Sequence, residues 1–200
     1  DSSALYKFKI INLFNACIGT GTTTSNYPFT TYWMDGRTQM LFTAAELNAA
    51  GAGANCIFTK LGFNVISVGG PAMNGFNVRF QHTTLTSLTS WVTSGWTTAF
   101  TGTYTVNGTG WQYINLASPY FAYNGTSNLL VEVCFDNSSY TSYSPVYATS
   151  VSGRCRGYYT DNQSGCTMTS GSNLSYRPNV CFTLMTLDNT NTISNKVPDK

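Results

Sequence analysis

Alternation of apolar and polar residues with a period of two is the feature that most restricts what this chain can become. Phe76, Val78 and Phe80 share one parity and Asn77, Arg79 and Gln81 the other, which is the pattern of a strand with one buried face. Phe100, Tyr104 and Val106 oppose Thr101, Thr103 and Thr105 in the same way, and Ile114 and Leu116 oppose Trp111, Tyr113 and Asn115. Residues 129–135 and 180–187 are more continuously apolar, as expected of central strands covered on both faces. Gly, Asn, Ser and Thr cluster at 107–110, 124–126 and 136–139 and supply turn chemistry at the intervals of a sandwich. One short helix is expected, because Thr43 and Glu46 form a capping box before Leu47, Ala49 and Ala50, and Gly51 ends the run. The pattern predicts an all-β fold, an antiparallel β-sandwich with one short helix and an extended N-terminal strand arm. Residues 1–26 form the arm and a Gly/Thr linker, 27–187 the sandwich domain, and 188–200 a polar tail.

Charge narrows the functions open to such a fold. Charged residues are 9% of the 200 and the formal charge is +2, against a usual charged share of about 25%. Aromatics at 14% exclude disorder. No basic stripe is present, so nucleic acid is not an expected partner. No apolar run is long enough to cross a bilayer, so no membrane insertion is expected. The chain starts Asp-Ser-Ser rather than with Met and reads as already processed.

Catalytic chemistry has little to work with. A hydrolase triad needs a histidine, and the single one, His82, ends a strand with no Gly-x-Ser-x-Gly elbow in the sequence. Glu132 and Asp136 would stand about 13 Å apart along a strand, too far for a glycosidase pair. Glu46 is a cap, Asp35, Asp136 and Asp161 fall in turns, and Glu132 is expected to pair with Arg37, Arg79 or Arg177 within the sheet. No enzyme, cofactor or metal is expected. The aromatic residues leave a binding option. Trp111 and Tyr113 share a strand face, so either a second layer covers them or they offer flat surfaces for glycan stacking. Tyr140, Tyr143, Tyr147, Tyr158 and Tyr159 could form an amphipathic contact surface. Sequons at Asn107, Asn124, Asn137, Asn162 and Asn173 fall in turn-like, exposed contexts.

Six cysteines without close Cys/His spacing indicate disulfides in an oxidising compartment rather than a metal site. Cys155 and Cys166 would close a short loop, Cys134 and Cys181 sit in matching Val-Cys-Phe contexts, and Cys17 and Cys56 pair by elimination. In the arm, Tyr6, Phe8, Ile10, Phe14, Ala16 and Ile18 share one parity and need an apolar groove. Residues 5–18 span roughly 46 Å if extended. Two destinations are open: the sheet of a neighbouring copy, which would build a homopolymer, or an ordinary first strand in the chain's own sheet.

Several segments together carry a family resemblance: Arg37-Thr38-Gln39-Met40-Leu41-Phe42-Thr43-Ala44-Ala45-Glu46-Leu47, Met73-Asn74-Gly75-Phe76, Asn124-Gly125-Thr126-Ser127-Asn128-Leu129-Leu130-Val131-Glu132-Val133-Cys134-Phe135, and Arg177-Pro178-Asn179-Val180-Cys181-Phe182. The set resembles a jelly-roll-like β-sandwich module of large secreted surface proteins of Bacteroidota, over roughly residues 27–183. The resemblance implies export, a cell-surface or extracellular location, and an adhesive, structural or glycan-associated role with no catalytic residues. Two functions are therefore expected: a structural subunit of an extracellular filament or surface assembly that donates its N-terminal strand to the next copy, or a secreted carbohydrate-binding or adhesive module.

Overall fold

A computed structural model describes residues 9–188. Strands follow one another as β1 (Lys9–Ile18), β2 (Thr23–Ser25) and β3 (Asp35–Phe42). The helix α1 (Ala44–Ala49) comes next, then β4 (Cys56–Val65), β5 (Met73–Thr83), β6 (Thr97–Tyr104) and β7 (Gly110–Asn115). The chain closes with β8 (Ala122–Tyr123), β9 (Asn128–Asp136), β10 (Val146–Thr160), β11 (Ser172–Pro178) and β12 (Val180–Asp188). The described pairings are antiparallel throughout. The fold is all-β, as the alternation predicts. The one α-helix among the described residues carries the expected capping box, with Thr43 Oγ1 accepting from the Glu46 amide and the Glu46 carboxylate accepting from the Thr43 amide.

Two groups of strands meet at their apolar sides. One runs β11, β10, β3, β9, β5, β6, and the other has β12 and β7 flanking β4 with β1 outside β12. A single bridging pair, Val65 with Val146, joins β4 to β10. Between the groups Phe182 packs on Phe42 at 5.5 Å and Phe58 lies 5.5 Å from Phe80, while Phe58 and Phe182, on the neighbouring strands β4 and β12, pack on each other at 4.9 Å. Edge-to-face and tilted ring pairs of this kind add to the burial of their area.

The inward parity of β9 is Leu129, Val131, Val133 and Phe135, all in this core. Its outward parity is buried as well: Leu130 packs with Leu41 and Leu88 in a separate small cluster, and Glu132 and Cys134 are inaccessible. Central strands of the kind predicted for 129–135 are thus covered twice, by the core on one side and by loops on the other.

The arm completes its own sheet. From Lys9 to Ile18 it pairs with β12, placing Cys17 opposite Cys181 and Ile18 opposite Val180. Ala16 and Ile18 are buried in the chain's own core and Phe14 packs against it, while Leu13, of the other parity, is 64% exposed. The shared face of Phe14, Ala16 and Ile18 is as expected. Ile10 takes part in the β1–β12 pairing opposite Leu187, whereas Tyr6 and Phe8 lie outside the described residues. The segment expected to be a free linker is packed instead. Gly21 donates its amide to Thr149 Oγ1 at 2.8 Å, Asn179 Nδ2 donates to the Gly21 carbonyl at 2.8 Å, and β2 pairs with β10. At Gly19, with φ at +97°, a side chain would collide with Asn179 and Thr149, so glycine serves close packing there as much as turning.

All three expected cysteine pairings are replaced. The disulfides are Cys17–Cys181 and Cys134–Cys166, and Cys56 and Cys155 are free and buried. Strand parity is the physical reason. Cys134 alternates with Val133 and Phe135 and so faces away from the core, where the 3-10 turn Gly165–Thr167 presents Cys166. Cys155 points into the core, and burial pushes its thiol up to about 12.

Non-reducing peptide mapping should recover Cys17 joined to Cys181 and Cys134 to Cys166, with Cys56 and Cys155 alkylated only after unfolding. Replacing Cys134 and Cys166 together by alanine, which opens a loop of 32 residues, should cost about 3–4 kcal/mol in a denaturant titration by the entropic estimate.

Candidate functional site

The outer face of β3, β9 and β5 carries a polar row. Register sets Gln39 and Arg79 on either side of Glu132, with Arg37 one pair further along against Cys134. Glu132 is fully buried and accepts from Arg37 Nε at 2.8 Å, Gln39 Nε2 at 2.6 Å and Arg79 Nη2. The pairing expected for Glu132 with Arg37 or Arg79 is therefore made with both. Arg177 pairs with Glu46 instead, at 2.7 Å.

Two loops roof this row. From the β5–β6 loop, the Val92 carbonyl accepts from Gln39 Nε2 at 2.7 Å and its amide donates to Gln39 Oε1 at 3.0 Å. From the β10–β11 loop, the Met168 carbonyl accepts from Arg37 Nη1 at 2.6 Å, and the Cys134–Cys166 disulfide pins the loop to β9. Trp91 ties the loops together, donating Nε1 to the Ser170 carbonyl at 2.8 Å. Its ring has the Arg37 guanidinium 4.5 Å and the Arg156 guanidinium 5.1 Å from its centroid, distances at which cation and π-face attract.

Between floor and roof lies a cavity of about 490 Å³, lined among others by Arg37, Arg79, Trp91, Thr93, Arg156 and Met168. That volume is within the range of small-molecule sites. Nε of Arg79 and of Arg156 are buried without an acceptor among the described residues. No group of three or more His, Cys, Asp or Glu among the described residues could hold a metal ion.

Trp111 and Tyr113 are not part of this cavity. Both are half-buried on β7, which pairs with β4, and the Tyr113 ring lies against Gly62, where it would meet an added Cβ. The aromatic surface lies elsewhere. Tyr32, 50% exposed, stands 5.4 Å from Tyr143 and 6.1 Å from Tyr140, and Trp33 stacks on Tyr159 at 5.1 Å. Three of the expected tyrosines are thus joined by Tyr32 and Trp33, which alternation does not single out. Tyr147 and Tyr158 are half-buried outside these contacts.

His82 accepts from the Asn124 amide at 3.2 Å and lies 4.7 Å from Phe121; burial lowers its pKa. Four of the sequon asparagines, Asn107, Asn124, Asn162 and Asn173, are exposed. Asn137 is not. It is 7% exposed and its Oδ1 accepts from the Asn74 amide at 2.7 Å, because the β9–β10 turn is packed against β5.

The chain matches no protein-family model, no curated protein and no solved structure. No helix among the described residues is long and apolar enough to cross a membrane. The two disulfides fit folding in an oxidising compartment.

Removing the charge of Glu132 with Glu132→Gln leaves two guanidinium groups facing a neutral partner beneath the roof, and should cost about 3–5 kcal/mol in a denaturant titration. Stability should also respond to pH in two windows of opposite sign. Burial raises the Glu46 pKa, but hydrogen bonds from Arg177 and Thr43 and the Arg177 charge outweigh it and hold it at about 2, below an ordinary 4.5. Its contribution is present above pH 4.5 and is lost as pH falls towards 2. Asp35 moves the other way, from 3.8 to about 6, through burial and the neighbouring Asp136 and Asp161, against a hydrogen bond from the Gln163 amide. Its contribution is full below pH 3.8 and is lost as pH rises through 6. Thermal melts of Asp35→Asn should lack the fall between those two values.

Proposed function

We propose that the chain is a non-catalytic adhesive module of an extracellular surface assembly, and that it takes a carbohydrate-sized ligand in the roofed cavity above β3, β9 and β5. The cavity is the observation that carries this reading: a polar floor fixed by buried ion pairs, an aromatic wall, and two loops held in place by a disulfide and by side-chain bonds to their carbonyls. A rigid site of this kind binds without reorganising. Exposed Tyr32 and Tyr140, grouped with half-buried Tyr143, add an amphipathic aromatic surface suited to adhesion. Extracellular placement rests on the disulfides, the low charge, and the motif set that resembles Bacteroidota surface modules.

On a glycan array the folded chain should bind at least one glycan class. That binding should disappear in Trp91→Ala and persist in Trp111→Ala. A folded wild-type chain that binds nothing on the array would overturn the reading.

A second reading, a filament subunit that exchanges its N-terminal strand, is favoured by the position of β1. It is an edge strand that pairs only with β12 among the described strands, so the same ladder and the same Cys17–Cys181 bridge could form between two copies. Exchange would have to peel away the packed segment 19–25 as well. Non-reducing gels of the native protein should then show a ladder of covalent oligomers that collapses on reduction. Monomers alone, with Cys17 and Cys181 from the same molecule in mixed isotope-labelled samples, would exclude exchange.

A further inference from the structure

Among the described residues, one arginine of this chain lacks a charged partner. The chain has five arginines and two glutamates. Arg37 and Arg79 pair with Glu132, and Arg154 and Arg177 with Glu46. Arg156 is left over. Its bonds all go to neutral acceptors, Asn173 Oδ1 at 2.8 Å, the Gly171 carbonyl at 2.7 Å and the Thr89 carbonyl at 3.4 Å. The cavity gathers Arg37, Arg79 and Arg156 against the single carboxylate of Glu132, an excess of two positive charges.

The remaining bonding capacity points the same way. Arg37 spends its donors on Glu132, Met168 and Val92. Arg79 and Arg156 each keep a buried Nε without an acceptor among the described residues, and Thr93 and Ser90, which carry hydroxyls, line the same space. An unpaired guanidinium in a partly desolvated wall is unfavourable when empty and is relieved by an oxyanion that accepts its donors, often two at a time. A neutral sugar would satisfy the hydroxyls and leave the charge uncompensated.

Resting on the reading of this cavity as a ligand site, we propose that its ligand carries an oxyanion, and that Arg156 with Arg79 holds it: the cavity takes an acidic sugar of one or two rings, with a carboxylate or a sulfate ester directed at these two guanidinium groups. The approximately 490 Å³ available admits such a ligand. A carboxylate and a sulfate ester can each offer two anionic oxygens to a guanidinium, so the two sources are separated by experiment.

Isothermal titration of the full chain with glucuronate, N-acetylneuraminate, glucose 6-sulfate and, as the neutral control, glucose tests this. At least one acidic sugar should bind, glucose should not, and whichever acid binds assigns the carboxylate or the sulfate. Arg156→Gln, verified as folded by its melting curve, should weaken that binding about tenfold or more, the usual weight of a charge-assisted hydrogen bond, and Arg156→Lys should recover only part of it. Raising the salt from low to physiological should weaken binding in the wild type more than in Arg156→Gln. The proposal is overturned if glucose binds as well as the acids, if Arg156→Gln binds them unchanged, or if no acid binds the folded wild type. Array binding to neutral glycans alone, lost in Trp91→Ala, would retain the site and refute the oxyanion.

Discussion

Placing a carboxylate where water cannot reach it costs several kcal/mol unless charges and donors surround it, and Glu132 imposes that requirement on the middle of the sheet. Its neighbours on both sides answer it, Gln39 and Arg37 from β3 and Arg79 from β5. Once those long polar side chains stand on the outer face, they present further donors that need acceptors. The Val92 and Met168 carbonyls supply them, and so the two loops close over the face. The cavity is therefore a by-product of solving one burial problem: the polar floor must be roofed, and the arginine stems hold the roof away from the sheet.

How much of this was legible in the sequence depends on the range of the signal. Alternation located β5, β6 and β7 and the shared face of Phe14, Ala16 and Ile18, because parity is a local property of a strand, and a continuous apolar run located β9. The capping box at Thr43 and Glu46 and the pairing of Glu132 with arginine were legible for the same reason: the first is encoded within four residues, and the second follows from a charge placed among apolar neighbours.

The cysteines were not legible. Val-Cys-Phe at 134 and at 181 looks alike in sequence, yet each cysteine bonds a partner brought to its outward side by topology, Cys166 on a 3-10 turn and Cys17 across the β1–β12 ladder. Parity alone could have warned that Cys134 faces outward, but not what waits there. The cavity itself was out of reach for the same cause, since Trp91, Arg79 and Arg156 are assembled from a loop and two strands distant in the chain. The Gly/Thr segment 19–25 misled in the opposite direction. Composition suggested a tether, whereas small residues there permit close approach of the backbone to β10.

One wall of the cavity is fastened by sulfur. Cys166 both lines the space and closes the covalent link to Cys134 on β9, so the β10–β11 loop, which also supplies the carbonyl that holds Arg37, depends on that link for its position. Under reducing conditions the loop would be anchored by hydrogen bonds and packing alone, and the pocket would lose its definition before the core lost its own. On the proposed reading of the cavity as a ligand site, capture and oxidation state are coupled: a copy whose sulfurs are still reduced would have a body but no grip, and would acquire its binding capacity only after oxidation.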